Sequence, residues 1–298
     1  MAINLTGEQQ RVLNWADTRR RDLPWRRTRD PWAVLVAEVM LQQTQVDRAQ
    51  PRWVAFLERF PTTKACAAAP LADLLQEWSG LGYPRRARNL HLTAIAIEQS
   101  GGTIPDRLDE LLAFPGVGPY TARAVLAFAF ESDAAVVDTN VGRILARRQG
   151  KKLTAAQAQT QADEWLVRGS SWAWNQGLLD LGALCCRAKE PVCDGCPVRR
   201  TCSWARSGWV TPDPAAGSAS VSVRQSRFEG SARQARGRLL RRAQQSPVAA
   251  FELCEVVEWK GQVDAQERAE AVADSLLRDG LLERDAQGRL VIAGADSS

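Results

Sequence analysis

Residues 112–143 read LAFPGVGPYTARAVLAFAFESDAAVVDTNVGR, and the fold turns on how this stretch is read. Phe114-Pro115-Gly116-Val117-Gly118 sets two glycines in a tight turn, and a helical run predicted over 119–130 follows at once. A glycine turn feeding a helix N-terminus presents backbone N–H groups outward, which makes a ready anion site. Beyond that helix, Asp138 interrupts an apolar Val-Val-Asp-Thr-Asn. A carboxylate set after two valines is costly unless it has a partner or a task. An anion site and an acid this close together point to chemistry on a phosphate-bearing polymer.

Working outward, the 298 residues are 45% apolar, so a real core can form, and the net charge of +5 leans mildly towards a polyanionic partner. The N-terminal MAINLTGEQQ lacks the basic-then-apolar pattern of a signal peptide, and no apolar run approaches the length of a membrane span. The expectation is a soluble, cytoplasmic chain. Of its seven cysteines, Cys185, Cys186, Cys193, Cys196 and Cys202 lie within eighteen consecutive positions. In a cytosolic chain such clustering argues for metal rather than disulfides.

Almost nothing before residue 206 alternates as a strand does, and the fold class read from the pattern is all-α. Thr6 and Gln9 form a capping-box pattern ahead of a first helix. Residues 31–46 make a strong helical run opening with proline, and its one charge is Glu38, flanked by Val36, Ala37, Val39 and Met40. Glu38 reads either as a helix-surface acid or as a cleft carboxyl with a raised pKa, suited to donating a proton. A glycine loop carries Tyr83, with Arg85, Arg86 and Arg88 just beyond it. It reads either as an ordinary loop or as a wedge and clamp for nucleic acid. His91, the chain's only histidine, reads as structural. Helices are predicted over 104–114, 141–148, 155–167 and 172–186.

The spacing Cys186-x6-Cys193-x2-Cys196-x5-Cys202 can hold zinc or an iron–sulfur cluster. Only one pair has the C-x2-C spacing that zinc ribbons use twice, and Pro197 follows Cys196, so the pattern leans to a [4Fe–4S] cluster. Residues 207–231 read as a linker by composition. In 232–298, an Arg-studded helix, two further helices and a hairpin about 285–288 look like a winged helix, a module that binds DNA or protein.

Taken in order, Leu23-Pro24-Trp25-Arg26, Glu38-Val39-Met40-Leu41-Gln42-Gln43-Thr44, Gly80-Leu81-Gly82-Tyr83, Pro115 to Ala122, Val137-Asp138-Thr139-Asn140-Val141, Leu181-Gly182-Ala183 and the four-cysteine loop form one set. With it, residues 6–204 resemble the helix-hairpin-helix DNA glycosylases that carry an iron–sulfur cluster, and most of all the A/G-specific adenine glycosylases of the MutY family.

The resemblance implies a two-lobed fold. Residues 22–130 would form one lobe, 1–21 with 131–206 the cluster lobe, 207–231 the linker and 232–298 the C-terminal module. It implies Glu38 as the acid that protonates adenine and Asp138 as the carboxylate that stabilises a sugar cation, the two-carboxyl logic of glycoside hydrolysis. Tyr120 and Asn140 match positions that support these carboxylates. Arg26 and Gln176 match positions that hold the flipped base. Gln43 and Tyr83 match residues that wedge into the duplex, and the Gly116 and Gly118 amides would grip a phosphate. Cys186, Cys193, Cys196 and Cys202 would ligate a [4Fe–4S] cluster.

The implied partner is double-stranded DNA containing a mispaired adenine, met by a monomer associated with the nucleoid. Lyase-active relatives place a lysine where this chain has Tyr120, so the resemblance implies a monofunctional enzyme. Many family members read 8-oxoguanine with a larger β-rich C-terminal domain; with the winged-helix-like tail, that reading would fall to Gln43, Tyr83 and their neighbours. The rivals are a mismatch thymine or uracil glycosylase, an oxidised-pyrimidine glycosylase/lyase, and a non-catalytic, cluster-containing DNA-binding regulator.

Overall fold

The computed structural model describes residues 5–218, 227–261 and 263–294. Fifteen α-helices, three short 3-10 helices and one two-stranded hairpin make up its regular structure among these residues. The helices are α1 (Gly7–Arg19), α2 (Pro31–Leu41), α3 (Val46–Arg59), α4 (Thr63–Ala68), α5 (Leu71–Glu77), α6 (Arg85–Gln99), α7 (Leu108–Leu112), α8 (Pro119–Phe128), α9 (Thr139–Gln149), α10 (Ala155–Trp165), α11 (Ser171–Leu184), α12 (Ser203–Arg206), α13 (Ala232–Gln245), α14 (Leu253–Val256) and α15 (Ala265–Arg278). Strands β1 (Leu282–Arg284) and β2 (Leu290–Ile292) pair antiparallel, Glu283 opposite Val291. The all-α reading with a small C-terminal module holds.

The chain forms two compact units. One contains residues 1–38, 105–113 and 117–224, the other 39–104, 114–116 and 225–298. This grouping cuts the chain after Glu38, whereas the division expected from the resemblance falls at 21/22 and 130/131. The physical reason is that α8 packs on α7 and α11, which draws the helix after the glycine turn into the unit of the cysteine loop.

In the first unit, the helix start predicted to be capped is capped, and a second is found. Gln9 N donates to Thr6 Oγ1 at 3.2 Å and Thr6 N to Gln9 Oε1 at 2.9 Å, and Thr154 with Gln157 repeats the device at α10. The apolar faces of α1, α9, α10 and α11 bury Val12, Ile144, Leu145, Ala162 and Leu181 together, with Trp165 edge-on to Trp174 at 5.0 Å. Small residues let α11 come close to its neighbours. A Cβ on Gly177 would lie 2.8 Å from Ala16, and one on Gly182 would lie 2.5 Å from Asn140. Residues 207–218 are anchored here and do not hang free as a linker. Asp213 pairs with Arg147 at 2.6 Å, and Ala215 and Ser218 are buried. Residues 219–226 of the expected linker lie outside the described residues.

Helix α7 is shorter than the run predicted over 104–114. Pro105 disfavours helical backbone at Ile104, and helix begins only at Leu108.

The second unit packs α4 and α5 on α6, with Phe56 edge-on to Trp78 at 6.2 Å. Helices α13 to α15 and the hairpin belong to the same unit and match the three helices and turn read in 232–298. The arginines of α13 are largely paired inside the module. Arg236 pairs with Asp279 at 2.6 Å, Arg242 with Glu252 at 3.5 Å, and Arg238 with Glu258. The exposed side of α15 carries Glu267, Glu270 and Asp274 against Arg268 and Arg278.

Candidate active site

Helix α2 explains why Glu38 is inside. Asp30 accepts from Trp32 N at 3.0 Å, Pro31 opens the helix, and every residue from Trp32 to Met40 is buried. A helix that is apolar all round lies within a core, so the surface reading of Glu38 fails; the side chain is 5% exposed. Tyr120, in the first turn of α8, donates its hydroxyl to Glu38 Oε2 at 2.7 Å. Burial pushes the Glu38 carboxyl up to about 7, against the opposing pull of the Tyr120 hydrogen bond; nearby Asp138 adds to the rise and Arg26 subtracts from it. Burial also lifts the Tyr120 phenol well above its ordinary value, so it stays a donor.

Asp138 is the N-cap of α9. Its Oδ1 accepts from the backbone N–H groups of Asn140 and Val141, both at 2.8 Å, and Oδ2 accepts from Asn140 Nδ2 at 2.9 Å. Burial raises this carboxyl above the usual range while those three donors and Arg143 pull the other way. Three donors and a helix N-terminus favour the carboxylate at Asp138. Glu38 has one hydroxyl donor in an apolar helix, which favours the acid. The two carboxyls thus sit in unlike surroundings, with one hydroxyl donor at Glu38 and three N–H donors at Asp138. Asn140 is held in turn, since Arg143 Nη2 donates to Asn140 Oδ1 and to Gly182 O, each at 2.7 Å.

Arg26 is buried and engaged. Nη1 donates to Asp180 Oδ2 at 2.7 Å and Nη2 to Asp180 Oδ1 at 3.0 Å, while Arg21 Nε reaches Asp180 Oδ1 at 2.6 Å. Burial works to raise the Asp180 carboxyl, yet Arg26 and Arg21 hold it below the usual range. Gln176, also buried, stands one turn before Asp180 on α11. Asp180 escaped the sequence reading, although a lone acid between Leu179 and Leu181 is the same signal that marked Glu38.

Gly116 adopts φ +75°, and a Cβ there would fall 2.6 Å from Asn89, so only glycine fits. Gly118 N-caps α8 and has nothing within 4 Å of an added Cβ. Gln43 and Tyr83 belong to the other compact unit, and both are exposed in the left-handed region, at φ 56° and φ 50°. His91 is half-buried; its pKa is lowered by burial, and it bonds the Ala67 and Ala69 backbone.

Cys186, Cys193, Cys196 and Cys202 line one small cavity together with Cys185, Arg147 and Trp204. All are free thiols, and Arg147 Nη1 donates to Cys186 Sγ at 3.4 Å. Burial pushes the Cys196 thiol up to about 12 and raises Cys186 and Cys202 as well. Among the described residues, no three His, Cys, Asp or Glu side chains gather as a single-ion site.

A buried acid with its pKa raised to about 7 near a second buried carboxyl that caps a helix, with a glycine turn feeding the helix that bears Tyr120, is the arrangement expected of the helix-hairpin-helix class of base-excision enzymes. Comparison with known proteins agrees and narrows it. Residues 36–167 match the HhH-GPD superfamily of base excision DNA repair proteins. An adenine DNA glycosylase of Mycolicibacterium smegmatis is 42% identical over 291 residues, covering 95% of each chain. One of Mycobacterium tuberculosis is 38% identical, over 95% of this chain and 92% of the relative. Among solved structures, a thermostable thymine-DNA glycosylase superposes with a TM-score of 0.62 at 28% identity, covering 67% of this chain and 95% of the other. A trapped endonuclease III–DNA covalent intermediate gives 0.59 at 25% identity, covering 69% and 100%. The chain belongs to the adenine DNA glycosylase family. Among the described residues, no helix is long and apolar enough to cross a membrane.

Proposed function

We propose that the protein removes adenine mispaired with 8-oxoguanine or guanine from duplex DNA and leaves the strand uncut. The observation that carries this reading is the buried Glu38, hydrogen-bonded by Tyr120 at 2.7 Å and carrying a pKa of about 7. Such an acid is poised to give its proton to N7 of a purine. The bond between N9 and the sugar then breaks with its electron pair passing to the base, and a sugar cation is left. The Asp138 carboxylate stabilises that cation until water adds. The adenine must first leave the stack, at a cost of a few kcal/mol that a mispaired base lowers. Arg26 and Gln176 hold the extruded base, and the Gly116 and Gly118 amides take a phosphate. Tyr120 has no amine with which to form a Schiff base, so no lyase step follows base release.

Cys186, Cys193, Cys196 and Cys202 fit a [4Fe–4S] cluster. They face one cavity as free thiols, and a cubane takes one thiolate per iron, a wider spacing than a single ion demands. When bound, the cluster supplies a cross-link to the loop after α11. Arg147 and Arg143 stand beside Cys186 and favour its thiolate.

The test is loss of chemistry without loss of the fold. Glu38→Gln and Asp138→Asn should each abolish adenine release while the visible cluster absorbance stays intact. Full activity in either variant would overturn the assignment.

A further inference from the structure

Six acceptors surround the guanidinium of Arg86. Nη1 donates to the carbonyls of Val39 at 2.8 Å, Met40 at 2.9 Å and Gln42 at 2.6 Å, where α2 ends. Nη2 donates to Thr44 Oγ1 at 3.0 Å, Leu81 O at 3.1 Å and Gly82 O at 3.0 Å. The last carbonyls of a helix lack partners within it and form the negative end of its dipole, so a cation is well placed there. Burial lowers the Arg86 pKa to about 10, which leaves it charged at neutral pH. The rings of Trp78 and Tyr83 lie 5.4 Å and 5.6 Å from it, and Trp78 Nε1 donates to Gly82 O at 3.2 Å.

One side chain thus fastens two turns, 42–44 and 81–83. Each turn carries an exposed residue in left-handed backbone, Gln43 and Tyr83. A residue with a Cβ costs roughly 1–2 kcal/mol there and persists only where its surroundings fix it. Arg233 of α13 also meets the second turn, with Nη1 3.4 Å from Tyr83 Oη.

The geometry points to Arg86 as the positioning residue that locks Gln43 and Tyr83 into one preformed, two-point wedge, so that DNA meets both already aligned. This rests on the reading of those two residues as the ones that enter the duplex. Alignment before binding removes an ordering cost from the bound state, and its loss falls on the kinked complex. Lysine keeps the charge but cannot reproduce the planar fork.

The test uses the full chain and a duplex with 2′-fluoro-deoxyadenosine opposite 8-oxoguanine, flanked by 2-aminopurine, whose fluorescence rises when its stack opens. With the parent protein the signal rises. Tyr83→Ala should blunt it and weaken binding on the order of tenfold. Arg86→Lys, read well below its own thermal midpoint, should do the same, and the double variant should be no worse than the poorer single, the mark of one unit. If Arg86→Lys behaves as the parent, or if its loss multiplies with that of Tyr83→Ala, the proposal is overturned. Should Tyr83→Ala itself bind and open the stack like the parent, the wedge reading has failed and the proposal goes with it. Should Arg86→Lys not fold, Thr44→Val enters the same cycle: coupling to Tyr83 supports the lock and independence overturns it.

Discussion

The Tyr120 hydroxyl donates to Glu38 Oε2 at 2.7 Å, and the two residues lie 82 positions apart. The bond fixes the carboxyl and, because it favours the charged form, also moderates its basicity; burial still wins and leaves the pKa at about 7. Base release needs the protonated acid, so the single-turnover rate should fall as pH rises through about 7. Tyr120→Phe removes the moderating bond, so the falling limb should move to higher pH. A pH–rate series on both proteins checks this. A limb that stays in place would separate Tyr120 from the acid.

Glu38 should also be a stability liability. Its folded-state pKa is raised from 4.5 to about 7. Its contribution is therefore fully present below about pH 4.5 and is lost as pH rises through 7. A shift of that size corresponds to roughly 3 kcal/mol. Glu38→Gln avoids the buried charge, so at pH 8 the inactive variant should unfold at higher temperature than the parent. The gain should vanish in acid. Thermal melts at both pH values measure it.

Asp138 has two duties that substitution can separate. Asparagine keeps an oxygen for the Asn140 and Val141 N–H groups, so Asp138→Asn should stay within about 1 kcal/mol of the parent in stability. It carries no charge to stabilise a sugar cation, and adenine release should be lost. Asp138→Ala should lose both the release and about 1 kcal/mol of helix cap. Urea unfolding beside a base-release assay resolves the two.

Gly182 has no part in the chemistry yet should matter to it. An added Cβ would meet Asn140 Cβ at 2.5 Å and its Cα at 3.0 Å. Gly182→Ala should therefore push α9 from α11 and cost about 1–3 kcal/mol. Because Asn140 holds Asp138, the variant should also lose most of its rate under conditions where it remains folded. Circular dichroism and single-turnover kinetics, read together, decide this.

Much of the site could be read from the residues because its acids break apolar patterns. Glu38 interrupts a helix buried on every side from residue 32 to 40, and Asp138 follows two valines just ahead of a helix. Asp180 carried the same signal inside α11, but no partner was legible for it, since Arg26 lies 154 positions away. The hub at Arg86 left no trace in the pattern, because five of its six acceptors are backbone carbonyls of other segments. Charge on α13 decided nothing for a related reason: runs of arginine look alike whether they face solvent or pair with acids such as Asp279. Composition likewise made residues 207–218 read as linker, although the Asp213–Arg147 pair ties them down.

The most direct test of the account is base release from four duplexes, A:8-oxoguanine, A:G, T:G and A:T, each scored for free base and for strand breaks before and after alkali. The expected result is free adenine from the first two, with breaks appearing only after alkali. Release confined to T:G, or strand cleavage without alkali, would contradict it.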